Sequence, residues 1–107
     1  MRRQFGVNLF RENKALVLGG VSNRWLKTSM EYGDIAMHAA PQFKSNTLMF
    51  ETQYGSCVLP EPMRRFCGFA PQCEKIYVPD SKHELLMETD AIRDQVFIKI
   101  YEFINKQ

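Results

Sequence analysis

The sequence lacks several features that would place it in a functional class at once. No run of about 18 apolar residues occurs, so we expect no transmembrane helix. Basic residues cluster only at Arg2-Arg3 and Arg64-Arg65, and the formal net charge is +2, so no basic stripe indicates a nucleic-acid-binding surface. The opening MRRQFGVNLFRENK has neither the long apolar stretch nor the small-residue cleavage site of a signal peptide.

Cysteine is also scarce and poorly placed for a metal site. The three cysteines stand at positions 57, 67 and 73, and no pair has the spacing of a metal-binding clip. This pattern predicts free thiols in a reducing cytoplasm and no cysteine metal site. An alternative small enzyme with a Cys57 or Cys67 nucleophile would need a neighbouring base and oxyanion site, which the local sequence does not supply.

The chain has 107 residues, which fits one small domain or a piece of a larger one. Hydrophobic residues make up 45% and charged residues 24%, as in an ordinary globular protein. We expect a single segment over 1–107, with a helical region over 1–41 and a strand-helix-strand-helix arrangement over 42–107.

Hydrophobic periodicity predicts the main helices. The stretch VSNRWLKTSMEYGDIAMHAA begins at a Ser22 or Asn23 cap and stops before Pro41. Its apolar positions recur at three- to four-residue spacing, namely Trp25, Leu26, Met30, Gly33 and Met37. A shorter helix is predicted over 61–69. A closing helix is predicted over 90–106, with one apolar face formed by Ile92, Val96, Ile100, Phe103 and Ile104.

Two short β-favouring runs alternate with these helices. NTLMFET (46–52) predicts one strand, and EKIYVPD predicts a second that ends at Pro79 and Asp80. Strands alternating with helices indicate a parallel pair with right-handed crossovers. Since parallel sheets normally have several strands covered on both faces, two strands with three or more helices make a poor independent unit. The prediction is an α/β fold that forms the C-terminal edge of a larger doubly wound sheet.

One histidine lies where α/β enzymes commonly have their functional residues. His83, in SKHELLMETD, follows the second strand and precedes the closing helix, and functional groups gather outside the carboxyl ends of such strands. The plainer alternative is a polar loop residue without a role. His38 lies near a helix end, where a histidine suits the helix dipole, and we interpret it as structural.

The segment VPDSKHELLMETDAIRDQVFIKIYEFINKQ resembles the C-terminal end of an α/β-hydrolase, in the bacterial lysophospholipase and monoacylglycerol lipase (serine aminopeptidase-like) family. LGGVSNRWLKTSM, TLMFET and MRRFC are similar to the preceding stretches of that family. The resemblance implies a partial α/β-hydrolase fold and hydrolysis of a lysophospholipid or monoacylglycerol ester, without a cofactor. It also implies that His83 is the general base of a Ser-acid-His triad.

The resemblance leaves the other two triad members open. No G-x-S-x-G occurs, and Ser56 follows a glycine without forming such an elbow, so no nucleophile and no oxyanion-hole loop is expected in this chain. Gly55 stands where the family has its acid. Glu51, Glu61 and Asp80 are the alternatives for that role, none of them at the family position.

These expectations together describe the product of a truncated or split gene, inactive alone. The partner would be a separately encoded N-terminal hydrolase segment that carries the serine, with a lysophospholipid-type substrate. The alternative is a non-catalytic interaction module that self-associates through an open sheet edge. We expect no nucleic acid and no membrane anchor, and a location in the cytoplasm or at the inner face of the membrane.

Overall fold

The computed structural model describes residues 2–55 and 57–106. It confirms an α/β arrangement in which two parallel strands are accompanied by four α-helices. In chain order the elements are α1 (Arg2–Glu12), α2 (Asn23–Ala39), β1 (Thr47–Tyr54), α3 (Pro60–Phe69), β2 (Cys73–Lys82) and α4 (Asp90–Asn105). Short 3₁₀ turns span Lys14–Leu16, Ala40–Gln42 and Leu85–Met87.

The helix boundaries follow local chemistry. The Ser22 hydroxyl accepts a hydrogen bond from the Trp25 backbone N–H at 3.1 Å, which confirms the predicted cap of α2. α3 begins at Pro60, where the missing N–H of proline costs nothing because no intrahelical acceptor exists there. Thr89 stands at the N-cap of α4 without a side-chain hydrogen bond to the helix.

The two strands pair in parallel and then lose their regular register. Thr47 lies opposite Cys73, and the pairing continues evenly to Thr52 opposite Val78. The next pair is Tyr54 with Lys82, so β2 carries a bulge between these points. The prediction that Pro79 and Asp80 end the strand is therefore wrong, since proline and a positive φ fit a bulge as well as a terminus.

The bulge is held by its neighbours. Asp80 has a φ of 53° there, and its backbone N–H donates to the Gln53 side-chain oxygen of β1 at 2.8 Å. The buried Ser81 hydroxyl donates to the Val78 carbonyl at 2.7 Å. The bulge in β2 is thus stabilised by hydrogen bonds of its own, and it sets the direction in which the chain leaves the sheet.

A disulfide joins α3 to β2. Cys67, near the end of α3, bonds to Cys73 at the start of β2. The turn between them is closed by the Cys73 backbone N–H, which donates to the Ala70 carbonyl at 3.3 Å. The prediction of three free thiols is therefore wrong for this pair, because the turn folds back on itself in a way that the spacing alone did not reveal. Cys57 is free and exposed.

Few apolar side chains are fully buried. Among the residues whose burial the structure describes, the buried apolar ones are Ala40, Cys67, Ala70, Val78 and Val96. The apolar face of α2 exists as predicted, but Trp25, Leu26 and Met30 on it are exposed. The accessible surface is 8717 Å² for a 12.5 kDa chain, whereas a compact monomer of that mass exposes about 6,200 Å². Roughly 2,500 Å² of additional surface is therefore left uncovered in the chain alone.

Candidate functional site at the carboxyl ends of the strands

His83 directly follows the last residue of β2. It is exposed, and its imidazole makes no hydrogen bond to the parts of the chain that the structure describes. Its backbone carbonyl accepts from the Leu85 N–H at 3.2 Å, at the start of the 3₁₀ turn that leads to α4. The predicted position of His83, after a strand and before the closing helix, is confirmed.

Glu88 closes the loop that carries His83. One Glu88 carboxylate oxygen accepts from the Lys82 backbone N–H at 2.7 Å. The Glu88 N–H donates in turn to the Leu85 carbonyl at 3.3 Å. Both ends of the loop are thereby tied together, so the backbone beside the imidazole is fixed while the imidazole itself stays accessible. Sequence reasoning assigned no positioning role to Glu88, because that role depends on the path of the loop.

Gly55 occupies the place beside His83 where the resemblance expects an acid. Since Tyr54 of β1 pairs with Lys82 of β2, the residues that directly follow this pair are Gly55 after β1 and His83 after β2. A Cβ added at Gly55 would lie 2.7 Å from the Thr52 side-chain oxygen, so a larger residue there needs that side chain to rotate. The site therefore has no carboxylate at this point, and a substituted carboxylate fits only once the Thr52 side chain has rotated.

Glu51 is the most strongly held of the three alternative acids. The residue is 3% exposed, and its side chain accepts hydrogen bonds from the Arg64 guanidinium and from Lys75 Nζ, the latter at 3.0 Å. The Arg64 hydrogen bond, followed by that of Lys75, lowers the pKa of Glu51 to about 2, although burial opposes this shift. Through these two contacts the carboxylate cross-links β1, α3 and β2. Glu51 lies opposite Tyr77, so the cross-link stands before the carboxyl ends of the strands.

Glu61 and Asp80 are exposed and stand apart from this cross-link. Glu61 lies in the first turn of α3, where a carboxylate complements the helix dipole. Asp80 lies on the bulge, with its backbone N–H held by Gln53. Within residues 2–55 and 57–106, no hydrogen bond joins either carboxylate, or that of Glu51, to His83. Ser56 lies outside the described residues.

The second histidine has an ordinary local role. His38 Nδ1 is hydrogen-bonded to the Asp34 carbonyl one turn earlier in α2, at 2.8 Å. No group of three or more metal-ligating side chains comes together in the described part of the chain. None of the described helices is long and apolar enough to cross a bilayer.

Comparison with known proteins agrees with a hydrolase relation. The chain is similar to a probable lysophospholipase L2 of Haemophilus influenzae, with 24% identity over 97 residues. The match covers 91% of this chain but 31% of that protein, so the chain spans about a third of its relative's length. No family model matches the chain, and no solved structure matches it significantly.

Proposed function

We propose that this chain supplies the histidine-bearing portion of a lysophospholipase-like carboxylic ester hydrolase. The observation that carries the proposal is the place of His83, exposed at the carboxyl end of a parallel strand pair. The similarity to a lysophospholipase over most of the chain supports the same reaction class. The substrate class is a lysophospholipid or monoacylglycerol.

In this reaction His83 acts as general base and then as general acid. A serine hydroxyl attacks the ester carbonyl while the imidazole of His83 takes its proton. The tetrahedral intermediate collapses, and the imidazolium returns the proton to the leaving alcohol. Water then attacks the acyl-enzyme, His83 again takes and returns one proton, and the fatty acid leaves. The serine and the oxyanion-hole donors belong to a complementing hydrolase segment, because no G-x-S-x-G is present here.

The absence of an acid at Gly55 limits the expected rate. A triad acid holds the imidazole in the correct tautomer, and its removal costs about 10⁴ in kcat in serine proteases. Here Glu51 is committed to Arg64 and Lys75, so it does not take over that role. We therefore propose a slow hydrolase in which Glu88 and the bulge orient the loop without orienting the ring.

The test is reconstitution with a separately expressed complementing segment, for which we choose the part of the Haemophilus influenzae relative, about two thirds of its length, that this chain does not match. Release of fatty acid from a lysophospholipid is expected only when both polypeptides are present. His83→Ala should remove this turnover, and His38→Ala should leave it unchanged because His38 bonds only within α2. Turnover that survives His83→Ala would remove the catalytic role of His83.

The second candidate function is that of a non-catalytic interaction module. The large uncovered surface favours it, since about 2,500 Å² exceeds what one partner contributes to a standard interface. This candidate predicts stable association of the chain without turnover in any reconstituted pair. A monomer that unfolds cooperatively and gains activity with the complementing segment would contradict it.

A further inference from the structure

The open edge of β1 has a defined set of free backbone groups. The Thr47 N–H donates to the Gln72 carbonyl at 3.0 Å, so Thr47 faces β2. Since N–H and C=O groups alternate sides along a strand, Leu48, Phe50 and Thr52 face away from β2. No strand pairs with that side within residues 2–55 and 57–106. The edge therefore offers a row of donors and acceptors in regular spacing.

The outer edge of β2 is much less suitable for pairing. By the same alternation, Lys75, Tyr77 and Pro79 face away from β1. Pro79 has no N–H to donate, and the bulge with Asp80 at a φ of 53° bends the chain immediately after it. Proline and bulges are devices by which natural sheets block edge pairing. β1, from Thr47 to Tyr54, contains no proline, lysine or bulge of its own.

We propose that the β1 edge pairs with the β1 edge of a second copy of this chain, in antiparallel orientation, to form a four-stranded sheet with the order β2-β1-β1-β2. A twofold axis beside Phe50 places Phe50 opposite its own copy and Leu48 opposite Thr52. Each outward N–H then meets an outward C=O, which makes about six hydrogen bonds across the axis. The surface is thus complementary to itself, as a twofold dimer interface requires.

Charge and side-chain pairing select this register. In it Glu51 lies opposite Met49 of the second copy, whereas a register shift of two residues, which moves the axis to Glu51, would set the two Glu51 carboxylates against each other. Arg64 and Lys75 of the same chain already neutralise Glu51, so the edge carries no unpaired charge that would repel a second copy. The two Phe50 side chains lie opposite each other at the axis, and aromatic cross-strand pairs stabilise a sheet.

The available area suffices for such an interface. A standard stable interface buries about 800 Å² on each partner, and the surface that this chain leaves uncovered beyond a compact monomer is about three times larger. Exposed apolar side chains lie close to the edge in sequence, among them Phe43 before β1 and Val58 and Leu59 after it. The proposal concerns the isolated chain, and it does not depend on the hydrolase function.

Light scattering after size-exclusion chromatography and hydrogen exchange by NMR test the proposal. The wild-type chain should have twice its 12.5 kDa mass. Thr52→Pro should convert it to a monomer by removing an outward donor, with no loss of a β1–β2 hydrogen bond. Tyr77→Pro, on the outer edge of β2, is the matched control and should remain dimeric. The amides of Leu48, Phe50 and Thr52 should gain at least tenfold protection on dimerisation, while those of Lys75 and Tyr77 should not.

The exchange data on the wild-type chain keep the proposal testable if a proline variant fails to fold. A monomeric wild type at about 100 µM, within the range where weak complexes form, would overturn it. So would a dimer in which the three β1 amides stay unprotected, since another surface would then join the copies. Protection of those amides only after the complementing hydrolase segment is added would also overturn it and would assign the edge to that segment.

Discussion

Replacing Glu51 with glutamine perturbs the most deeply buried charge among the side chains that the structure describes. The side chain is 4% exposed and joins β1 to α3 through Arg64 and to β2 through Lys75. Glutamine keeps the shape and one acceptor oxygen but removes the charge. The substitution therefore measures how much the ion pairs, and not the packing, contribute to the free energy of unfolding.

The pKa shift of Glu51 sets the size of the expected change in the free energy of unfolding. Hydrogen bonds from Arg64 and Lys75 lower the pKa of Glu51 from 4.5 to about 2, which corresponds to at most about 3 kcal/mol. The Arg64 side chain is 50% exposed and that of Lys75 is 34% exposed, so water screens both partners and rehydrates them once the charge is gone. We therefore expect Glu51→Gln to lower the free energy of unfolding at pH 7 by about 1–3 kcal/mol.

The effect depends on pH in a fixed direction. The folded-state pKa of Glu51 lies below its unfolded value, so its contribution is complete above about pH 4.5 and is lost as the pH falls toward 2. Urea unfolding followed by circular dichroism should show the wild type and Glu51→Gln far apart at pH 7 and close together near pH 2. Glu61→Gln, in the exposed first turn of α3, is the control and should change the stability by less than about 0.5 kcal/mol at either pH.

Two outcomes would refute this reasoning. An equal loss of stability at pH 7 and near pH 2 would mean that the glutamine disturbs packing and that the ion pairs contribute little. No loss at pH 7 would mean that rehydration of Arg64 and Lys75 fully compensates for the missing carboxylate.

Two further changes test the disulfide and the strand ends. Reduction of the Cys67–Cys73 bond, or replacement of both cysteines by serine, should lower the free energy of unfolding by about 2 kcal/mol, because the bond closes only a short loop. Cys57→Ser should have no effect in the same urea titration. Gly55→Asp should raise kcat of the reconstituted pair by about 10²–10⁴ by holding the His83 imidazole, while Gly55→Asn, of the same size, should give much less. An equal gain for both residues would show that size, and not the carboxylate, matters.

Local signals predicted the parts of the fold that depend on neighbours in sequence. The Ser22 hydroxyl and the stop near Pro41 bound α2, and the helix predicted over 61–69 begins one residue earlier, at Pro60, because capping and proline chemistry act within one helical turn. The parallel pair followed from the alternation of strands and helices. The place of His83 followed from the same order of elements.

Features that depend on contacts between different secondary-structure elements were missed. The Glu51 carboxylate meets Lys75 across the strand pair, 24 residues away, so nothing near Glu51 marked it as a structural cross-link. The continuation of β2 through Pro79 depends on Gln53 of β1, which supplies the acceptor for the bulge. The disulfide required the tight turn that brings Cys73 back to Cys67. In each case the deciding partner belongs to another element.

The most direct measurement of the central claim is the rate at which a fluorophosphonate probe labels the serine of the complementing hydrolase segment. The probe reacts with an activated serine and requires no recognition of the lipid, so it isolates proton transfer by His83. Addition of the wild-type chain should raise the labelling rate by at least about 10², and addition of His83→Ala should not. Equal labelling rates with the two chains would contradict the assignment of His83 as the general base.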